Sequence, residues 1–169
     1  MERPTVERYR RYLTQIYCFE APVEAACAAT EQLDRELVRT HLKTHYLAAD
    51  LEALGLAARS VAAIPQMSFD GPEEALGWLW VVHRNTLVHG LVRRHLETLL
   101  PDTMRDAGAY LAAVEGRAGA LMGQLGRLLD AAANRIVSCE RIVAAAKHAF
   151  RLQHQWYDCE LIGYPRRAA

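Results

Sequence analysis

The stretch Gly77-Trp-Leu-Trp-Val-Val-His-Arg-Asn-Thr-Leu-Val-His-Gly90 decides the fold class of this chain. Read as a helix, it is apolar on nearly every side, and only a helix surrounded by protein has that composition. Four polar side chains lie within it, at His83, Arg84, Asn85 and His89. Buried polar groups need partners or a ligand. The stretch therefore predicts a central helix that either lines a pocket or carries an internal polar network.

The rest of the chain has the composition of one helical domain. Alanine and leucine are abundant, and apolar residues recur at spacings of three and four across most of the 169 residues. This pattern predicts an all-α fold of five to seven helices around one core, with a tail from about residue 160. Lysine plus arginine equals aspartate plus glutamate at 20 each, which argues against a nucleic-acid partner.

Targeting and redox features predict a cytoplasmic protein without a membrane partner. The first residues contain no apolar signal core, and no apolar run reaches the length of a bilayer span. The cysteines form no C-x-x-C pair and fall within helical patterns, which favours small apolar residues in a reducing compartment. They are Cys18, Cys27, Cys139 and Cys159.

Capping residues and prolines predict where the first helices begin and end. Thr5 is a suitable N-cap for a helix that starts at Val6. We expect Pro22 to kink or interrupt this helix, which would resume over residues 23–33. A second helical region covers residues 35–54, where a break near Thr44 is compatible with the pattern, and Gly55 is a suitable stop.

The second half predicts three further helices. Asp70 is expected to cap the central helix, which would run to Leu99 or Leu100 because Pro101 follows. After a loop, the periodicity predicts a helix over residues 107–132 and a last helix over residues 134–158.

Three separated segments resemble the bacterial biliverdin-producing heme oxygenases. Tyr9-Arg-Arg-Tyr-Leu-Thr-Gln-Ile-Tyr-Cys-Phe-Glu-Ala-Pro-Val-Glu24 is similar to the family's Tyr-x-x-Tyr-Leu…Tyr-Gly-Phe-x-x-Pro-Leu-Glu segment. Leu47-Ala-Ala-Asp-Leu-Glu-Ala-Leu-Gly55 is similar to its Leu-x-x-Asp-Leu-x-x-Leu-Gly. Ala144-Ala-Ala-Lys-His-Ala-Phe-Arg-Leu-Gln-His-Gln-Trp156 is similar to its closing Ala-x-x-x-Phe-x-x-Leu-x-x-Trp helix. The segments keep the family's order and spacing along nearly the whole chain.

The resemblance implies a helical domain that holds heme between a proximal and a distal helix. In active members a histidine on the first helix binds iron, and glycines on the distal helix let its backbone approach the heme. Heme is cleaved to biliverdin, carbon monoxide and iron with electrons from an external reductase. Residues 75–96 fall where the family has its distal helix.

This chain departs from the family at both iron-facing helices. The resemblance begins at Tyr9, which leaves no room for a proximal helix, and no histidine precedes His41. The family's distal pattern resembles Tyr-Val-x-Glu-Gly-Ser-x-Leu-Gly-Gly, whereas residues 80–89 read Trp-Val-Val-His-Arg-Asn-Thr-Leu-Val-His. In a continuous helix, residues 84 and 88 share one face and 85 and 89 the next. Side chains on these faces would occupy the space of the heme, and overpacking typically costs about 1–3 kcal/mol.

We therefore predict a heme-oxygenase-like protein that has lost heme cleavage and acts as a binding or regulatory protein. We expect no catalytic residue, no bound metal and no cofactor. The candidates for lining its pocket are Trp80, His83, Arg84, Asn85, Val88 and His89.

Two alternatives remain at this stage. The chain is an active heme oxygenase with His89 or His83 as an unusual axial ligand, or the altered pocket takes another apolar or tetrapyrrole-like molecule. A metal pair at His41 and His45, four residues apart, is less favoured because no glutamate follows His41 directly and because a break near Thr44 is compatible with the pattern.

The missing first helix also predicts a protein partner. Its loss would uncover an apolar strip on the helix after Thr5 and on the last helix, and monomers rarely expose a large apolar patch. We expect a homodimer, or another protein, to cover that strip.

Overall fold

The computed structural model describes residues 3–58 and 66–158, and none of these residues lies in a β-strand. Within these two ranges, seven helices have seven residues or more, which confirms the all-α prediction. These are α1 (Val6–Ala29), α2 (Arg35–His41), α3 (Thr44–Ala53), α4 (Pro72–Arg84), α5 (His89–Leu99), α8 (Ala118–Ala132) and α9 (Ile136–Asp158). Two short helices, α6 (Pro101–Asp106) and α7 (Ala109–Ala112), lie between α5 and α8.

Helix α1 begins as predicted but continues through its proline. The Thr5 hydroxyl accepts a hydrogen bond of 3.2 Å from the Arg8 amide, which confirms the N-cap. Pro22 lies inside the helix without interrupting it, so of the two expected effects, a kink or an interruption, the interruption is wrong. Phe19 and Val23 are buried on either side of the proline, and their packing offsets the hydrogen bond that proline removes. The helix ends at Ala29, earlier than predicted.

The second helical region is broken as the sequence suggested. Helix α2 ends at His41 and α3 begins at Thr44, which confirms a break next to Thr44. The Asp34 carboxylate caps α2 by accepting from the amides of Glu36 and Leu37. Gly55 has a φ of 76° and follows α3, as expected for a glycine at the end of a helix.

The predicted central helix is divided into three pieces. Helix α4 is followed by a 3₁₀ turn over Asn85–Val88 and then by α5. The prediction of one continuous helix is therefore wrong, although α5 does end at Leu99 before Pro101. The N-cap position belongs to Gly71 rather than Asp70, whose backbone amide donates to the Glu74 carboxylate instead.

The helix predicted over residues 107–132 is also interrupted. Helix α7 ends at Ala112, and α8 begins only at Ala118 after Gly116, which adopts a φ of 70°. Glycine favours this left-handed backbone because it has no side chain. Helix α9 starts at Ile136, two residues later than predicted. The proposed tail from residue 160 lies outside the described residues.

The described helices bury two apolar clusters. One joins α1, α2, α4, α8 and α9 around Trp78, and the other joins α1, α3, α5, α6 and α7 around Leu13 and Tyr110. Helix α4 packs most closely against α9, where a Cβ atom added to Gly77 would lie 2.6 Å from the Ile142 carbonyl oxygen. Within the described ranges, no helix is both long and apolar enough to cross a membrane.

Candidate functional site

Six polar side chains from different elements meet inside the molecule and form what we call the buried polar cluster. Each has a relative exposure of 2% or less, so the whole group is shielded from solvent. Its members are Glu20 of α1, His41 of α2, Lys43 of the α2–α3 break, His83 of α4, His89 at the start of α5 and Tyr110 of α7. Charged groups are rarely buried to this degree without a partner, so their contacts decide what the cluster does.

Glu20 links two of the other members. The Tyr110 hydroxyl donates to Glu20 Oε1 at 2.8 Å, and Lys43 Nζ lies 3.4 Å from Glu20 Oε2. Burial raises the pKa of Glu20 by penalising the carboxylate, while the Lys43 ammonium group opposes that effect. These two contacts of Glu20 hold α1 against the α2–α3 break and against α7.

Two further carboxylates position these partners. Glu24 accepts from the Lys43 amide at 2.7 Å and from the Thr44 amide at 3.1 Å, so it caps the start of α3. Asp50 accepts from the amides of Ala109 and Tyr110, both at 2.9 Å, and caps α7. Each carboxylate satisfies helix amides that lack an intrahelical partner. The backbone that carries Lys43 and Tyr110 is therefore fixed on both sides of Glu20.

The three histidines of the cluster are kept neutral. The rings of His41 and His83 lie edge to face with centroids 4.3 Å apart, and His89 lies 4.7 Å from the Tyr110 ring. Burial, followed by the charges of nearby groups, lowers the pKa of His83 to about 3. Burial and the Lys43 ammonium lower that of His89 to about 4. The pKa of His41 is lowered as well, mainly by burial.

Hydrogen bonding of the histidines is incomplete. His41 Nδ1 donates to the Leu37 carbonyl at 2.8 Å. Within the described part of the chain, neither ring nitrogen of His83 has a hydrogen-bond partner, and Nδ1 of His89 has none. Such groups are unfavourable in a protein interior, so they are retained at a cost to stability.

The predicted pocket residues do not share one surface. His83 and His89 enter the buried polar cluster, whereas Trp80 and Arg84 face α9. The Arg84 guanidinium lies 4.3 Å from the centre of the Phe150 ring, and its Nη2 donates to Gln153 Oε1 at 3.4 Å.

The last two predicted pocket residues belong to the 3₁₀ turn. Val88 is 53% exposed and Asn85 is half-buried. A 3₁₀ turn has about three residues per turn, so the spacing of four no longer returns to the same face. Arg84 and Val88 therefore point in different directions, contrary to the sequence argument.

Metal binding finds no support in the described residues. Within them, no group of three or more histidine, cysteine, aspartate or glutamate side chains is placed to hold a metal ion. His41 is buried at the end of α2, whereas His45 is exposed on α3, because the helix breaks between them.

Three members of the buried polar cluster were not among the predicted site residues, namely Glu20, Lys43 and Tyr110. A signal existed for Glu20, because it continues the apolar spacing of Leu13, Ile16 and Val23 along the buried face of α1. A carboxylate on that face must find a partner inside the protein. Lys43 and Tyr110 carry no comparable local signal.

The comparisons with known proteins add no family assignment. No family model, no curated protein and no solved structure matches this chain.

Proposed function

We propose that this chain is a heme-oxygenase-like protein that does not cleave heme and acts as a binding or regulatory protein. The proposal rests on the resemblance of the three segments and on the packing around the region that would correspond to the distal helix. The single observation that carries it is the burial of His83 and His89, which are 0% and 2% exposed.

A histidine that binds heme iron must present a ring nitrogen to open space wide enough for a flat macrocycle. His83 is packed against His41, and His89 is packed against Tyr110. Arg84 fills the neighbouring space between α4 and α9 through its contact with Phe150. The residues present therefore do not fit heme in this arrangement, and opening the site would separate packed side chains.

A hemin titration followed by visible spectroscopy tests this proposal. We expect the spectrum of free hemin at stoichiometric protein, and no biliverdin after addition of a reductant. His89→Ala and His83→Ala are the matched variants. A sharp Soret band that is lost in either variant would instead support heme ligation by that histidine, and biliverdin formation would establish activity.

We also propose that a second copy of this chain, or another protein, contacts the first half of α9. The large apolar side chains there are unusually open to solvent, with Ile136 79%, Val137 68% and Val143 45% exposed. On α1, Val6 is the one large hydrophobic in the described residues with comparable exposure, at 47%. Adjacent exposed apolar side chains of this kind are typical of interaction surfaces.

Sedimentation velocity between 1 and 100 µM tests the self-association. We expect the sedimentation coefficient to rise with concentration in the wild-type protein and to stay at the monomer value in Ile136→Lys. Leu91→Lys serves as a control, because it introduces the same charge at an exposed apolar position of α5, and it should self-associate like the wild type. A wild-type monomer at every concentration would exclude the second copy and leave only a different protein as the partner.

A further inference from the structure

Helix α9 has an inner face that packs on the molecule and an outer face that is open to solvent. Its buried side chains are those of Ser138, Ile142, Ala145, Ala149 and Gln153. Helical spacing places residues 136, 140, 143 and 147 on the opposite side, and all four are exposed. We define the α9 outer face by the exposed residues Ile136, Val137, Glu140, Val143, Ala144 and Lys147.

The two charged residues of this face find no opposite charge on their own helix. Side chains three and four positions apart are neighbours on a helix. Around Glu140 these positions hold only isoleucine, valine and alanine, and around Lys147 they hold valine, alanine, phenylalanine and arginine. No ion pair between described residues includes either side chain. Both charges can therefore pair with groups outside the chain.

A second α9 laid antiparallel on this face supplies the missing partners. If a two-fold axis passes between Val143 and Ala144, Glu140 lies at the same height as Lys147 of the partner subunit, because positions 140 and 147 are equally far from that point. The symmetry produces this ion pair twice. At the axis, Val143, which is 45% exposed, packs against Val143 of the partner subunit.

The same charges disfavour the other ways of pairing two α9 helices. A parallel pair would place glutamate beside glutamate at position 140 and lysine beside lysine at position 147. An antiparallel pair centred on Glu140 or on Lys147 would also bring two like charges together. Like charges repel at these distances. The α9 outer face is thus complementary to a copy of itself in one direction and one register.

We propose that the partner of α9 is a second copy of this chain, held antiparallel about a two-fold axis between Val143 and Ala144. Apolar side chains form the centre of the contact, and two ion pairs between Glu140 and Lys147 of the partner subunit fix its direction. This inference rests on the proposed contact of α9 with a second copy and adds its geometry. One helix from each copy gives a small interface, typical of weak association.

Charge reversal tests the two ion pairs by sedimentation velocity between 1 and 100 µM. Glu140→Lys and Lys147→Glu should each raise the dissociation constant about tenfold, because each replaces two attractions by two repulsions. The double variant Glu140→Lys/Lys147→Glu should return to within about threefold of the wild-type value, since both pairs form again with their signs exchanged.

Two controls carry the same charge changes on other helices. Glu52→Lys on α3 and Arg94→Glu on α5 alter exposed positions away from the α9 outer face and should associate like the wild type. Far-UV circular dichroism identifies any variant that has lost helix. An equimolar mixture of Glu140→Lys and Lys147→Glu chains provides a second measurement, because the two chains complement each other. The mixture should associate at least as tightly as the wild type, although each chain alone does not.

Disulfide formation tests the register and the direction. In a chain with Cys139 and Cys159 replaced by serine, Val143→Cys places two thiols beside the axis, within reach of a bond whose Cα atoms lie about 4.4–6.8 Å apart. Mild oxidation should give a covalent dimer on a non-reducing gel. His148→Cys is the matched control, because its two copies would lie roughly 13 Å apart along the helix at 1.5 Å per residue.

The contrary outcomes separate this inference from the proposed function. Association that neither charge reversal weakens would retain the second copy and overturn only the antiparallel arrangement. Covalent dimers formed equally by Val143→Cys and His148→Cys would also contradict that arrangement, because a parallel pair aligns every position with itself. A wild-type protein that stays monomeric at every concentration would overturn both the second copy and its geometry.

Discussion

Helix α4 packs against two regions that are constrained in different ways. On one face, Gly77 meets Ile142 and Ala145 of α9 so closely that an added Cβ would lie 2.8 Å from the Ala145 Cβ. On another face, His83 enters the buried polar cluster, where its neighbours are polar and incompletely hydrogen-bonded. The α4–α9 contact is therefore sensitive to added side-chain volume, whereas the buried polar cluster is sensitive to changes in charge.

This difference predicts that the two regions respond to different perturbations. Added volume should disrupt the α4–α9 contact and a change of pH should not. The buried polar cluster should respond in the opposite way, because its stability depends on which groups are ionised.

The largest effect should follow from removing one charge of the cluster. Lys43→Met leaves the Glu20 carboxylate buried without its cation, and breaking a buried pair in this way costs about 3–5 kcal/mol. Urea denaturation measures the free energy of unfolding. Adding Glu20→Gln to the same chain should restore much of the loss, because the second change removes the unpaired charge.

An exposed ion pair provides the control for this prediction. Arg39→Ala breaks the contact with Glu36, in which both side chains are solvent-exposed, and should leave the free energy of unfolding nearly unchanged. A similar loss in Lys43→Met and Arg39→Ala would contradict the distinction between buried and exposed charge.

The next effect should come from volume at the α4–α9 contact. Gly77→Ala adds one methyl group where the Ile142 carbonyl oxygen is already 2.6 Å from the ideal Cβ position, and overpacking costs about 1–3 kcal/mol. Gly90→Ala is the matched control, because nothing lies within 4 Å of its ideal Cβ position. It should stabilise α5, since alanine favours helix over glycine by roughly 0.5–1 kcal/mol. Thermal denaturation of both variants would show opposite shifts.

The third effect is a pH dependence that belongs to His83. Its pKa is about 3 in the folded protein and about 6.5 when unfolded, so above pH 6.5 the ring is neutral in both states and adds no pH dependence. As pH falls below 6.5, the unfolded state binds a proton at this histidine and the folded state does not, so the free energy of unfolding decreases. The loss should reach about 2 kcal/mol by pH 5 for this one histidine.

Urea denaturation between pH 8 and 5 isolates this contribution by comparing the wild type with His83→Phe. Both proteins retain Glu20, whose raised pKa acts in the opposite direction, and His41 and His89, whose lowered pKa values act in the same direction, so the difference between the two curves reports on His83. His95→Phe, at an exposed position of α5, should follow the wild-type curve. Parallel curves for the wild type and His83→Phe would rule out a proton-linked role.

The smallest effect concerns the start of α1, which lies outside both regions. Thr5→Ala removes the hydroxyl that accepts from the Arg8 amide and should destabilise the protein by about 1 kcal/mol. Thr98→Ala is the control, because the Thr98 hydroxyl donates to the Arg94 carbonyl within an exposed part of α5 and caps nothing. Equal effects in chemical denaturation would contradict the capping role.

Local sequence features predicted several helix ends correctly. Thr5 at the start of α1, Gly55 after α3 and Pro101 after α5 act through their own backbone geometry, so their effect does not depend on the rest of the fold. The predicted interruption at Pro22 does not occur because packing around the proline outweighs the local penalty. The break at Asn85–Val88 was missed because the apolar composition of the segment continues across it.

The candidate site shows where prediction from sequence ends. The sequence alone determined that His83 and His89 lie in a buried segment, since their neighbours along the chain are apolar. It therefore also determined that both histidines need polar partners or a ligand. Only the tertiary structure decided that they join Glu20, Lys43 and Tyr110, and that Val88 turns outward. Tyr110 reaches Glu20 across 90 residues, and a contact over that separation depends on how whole helices pack rather than on any local pattern.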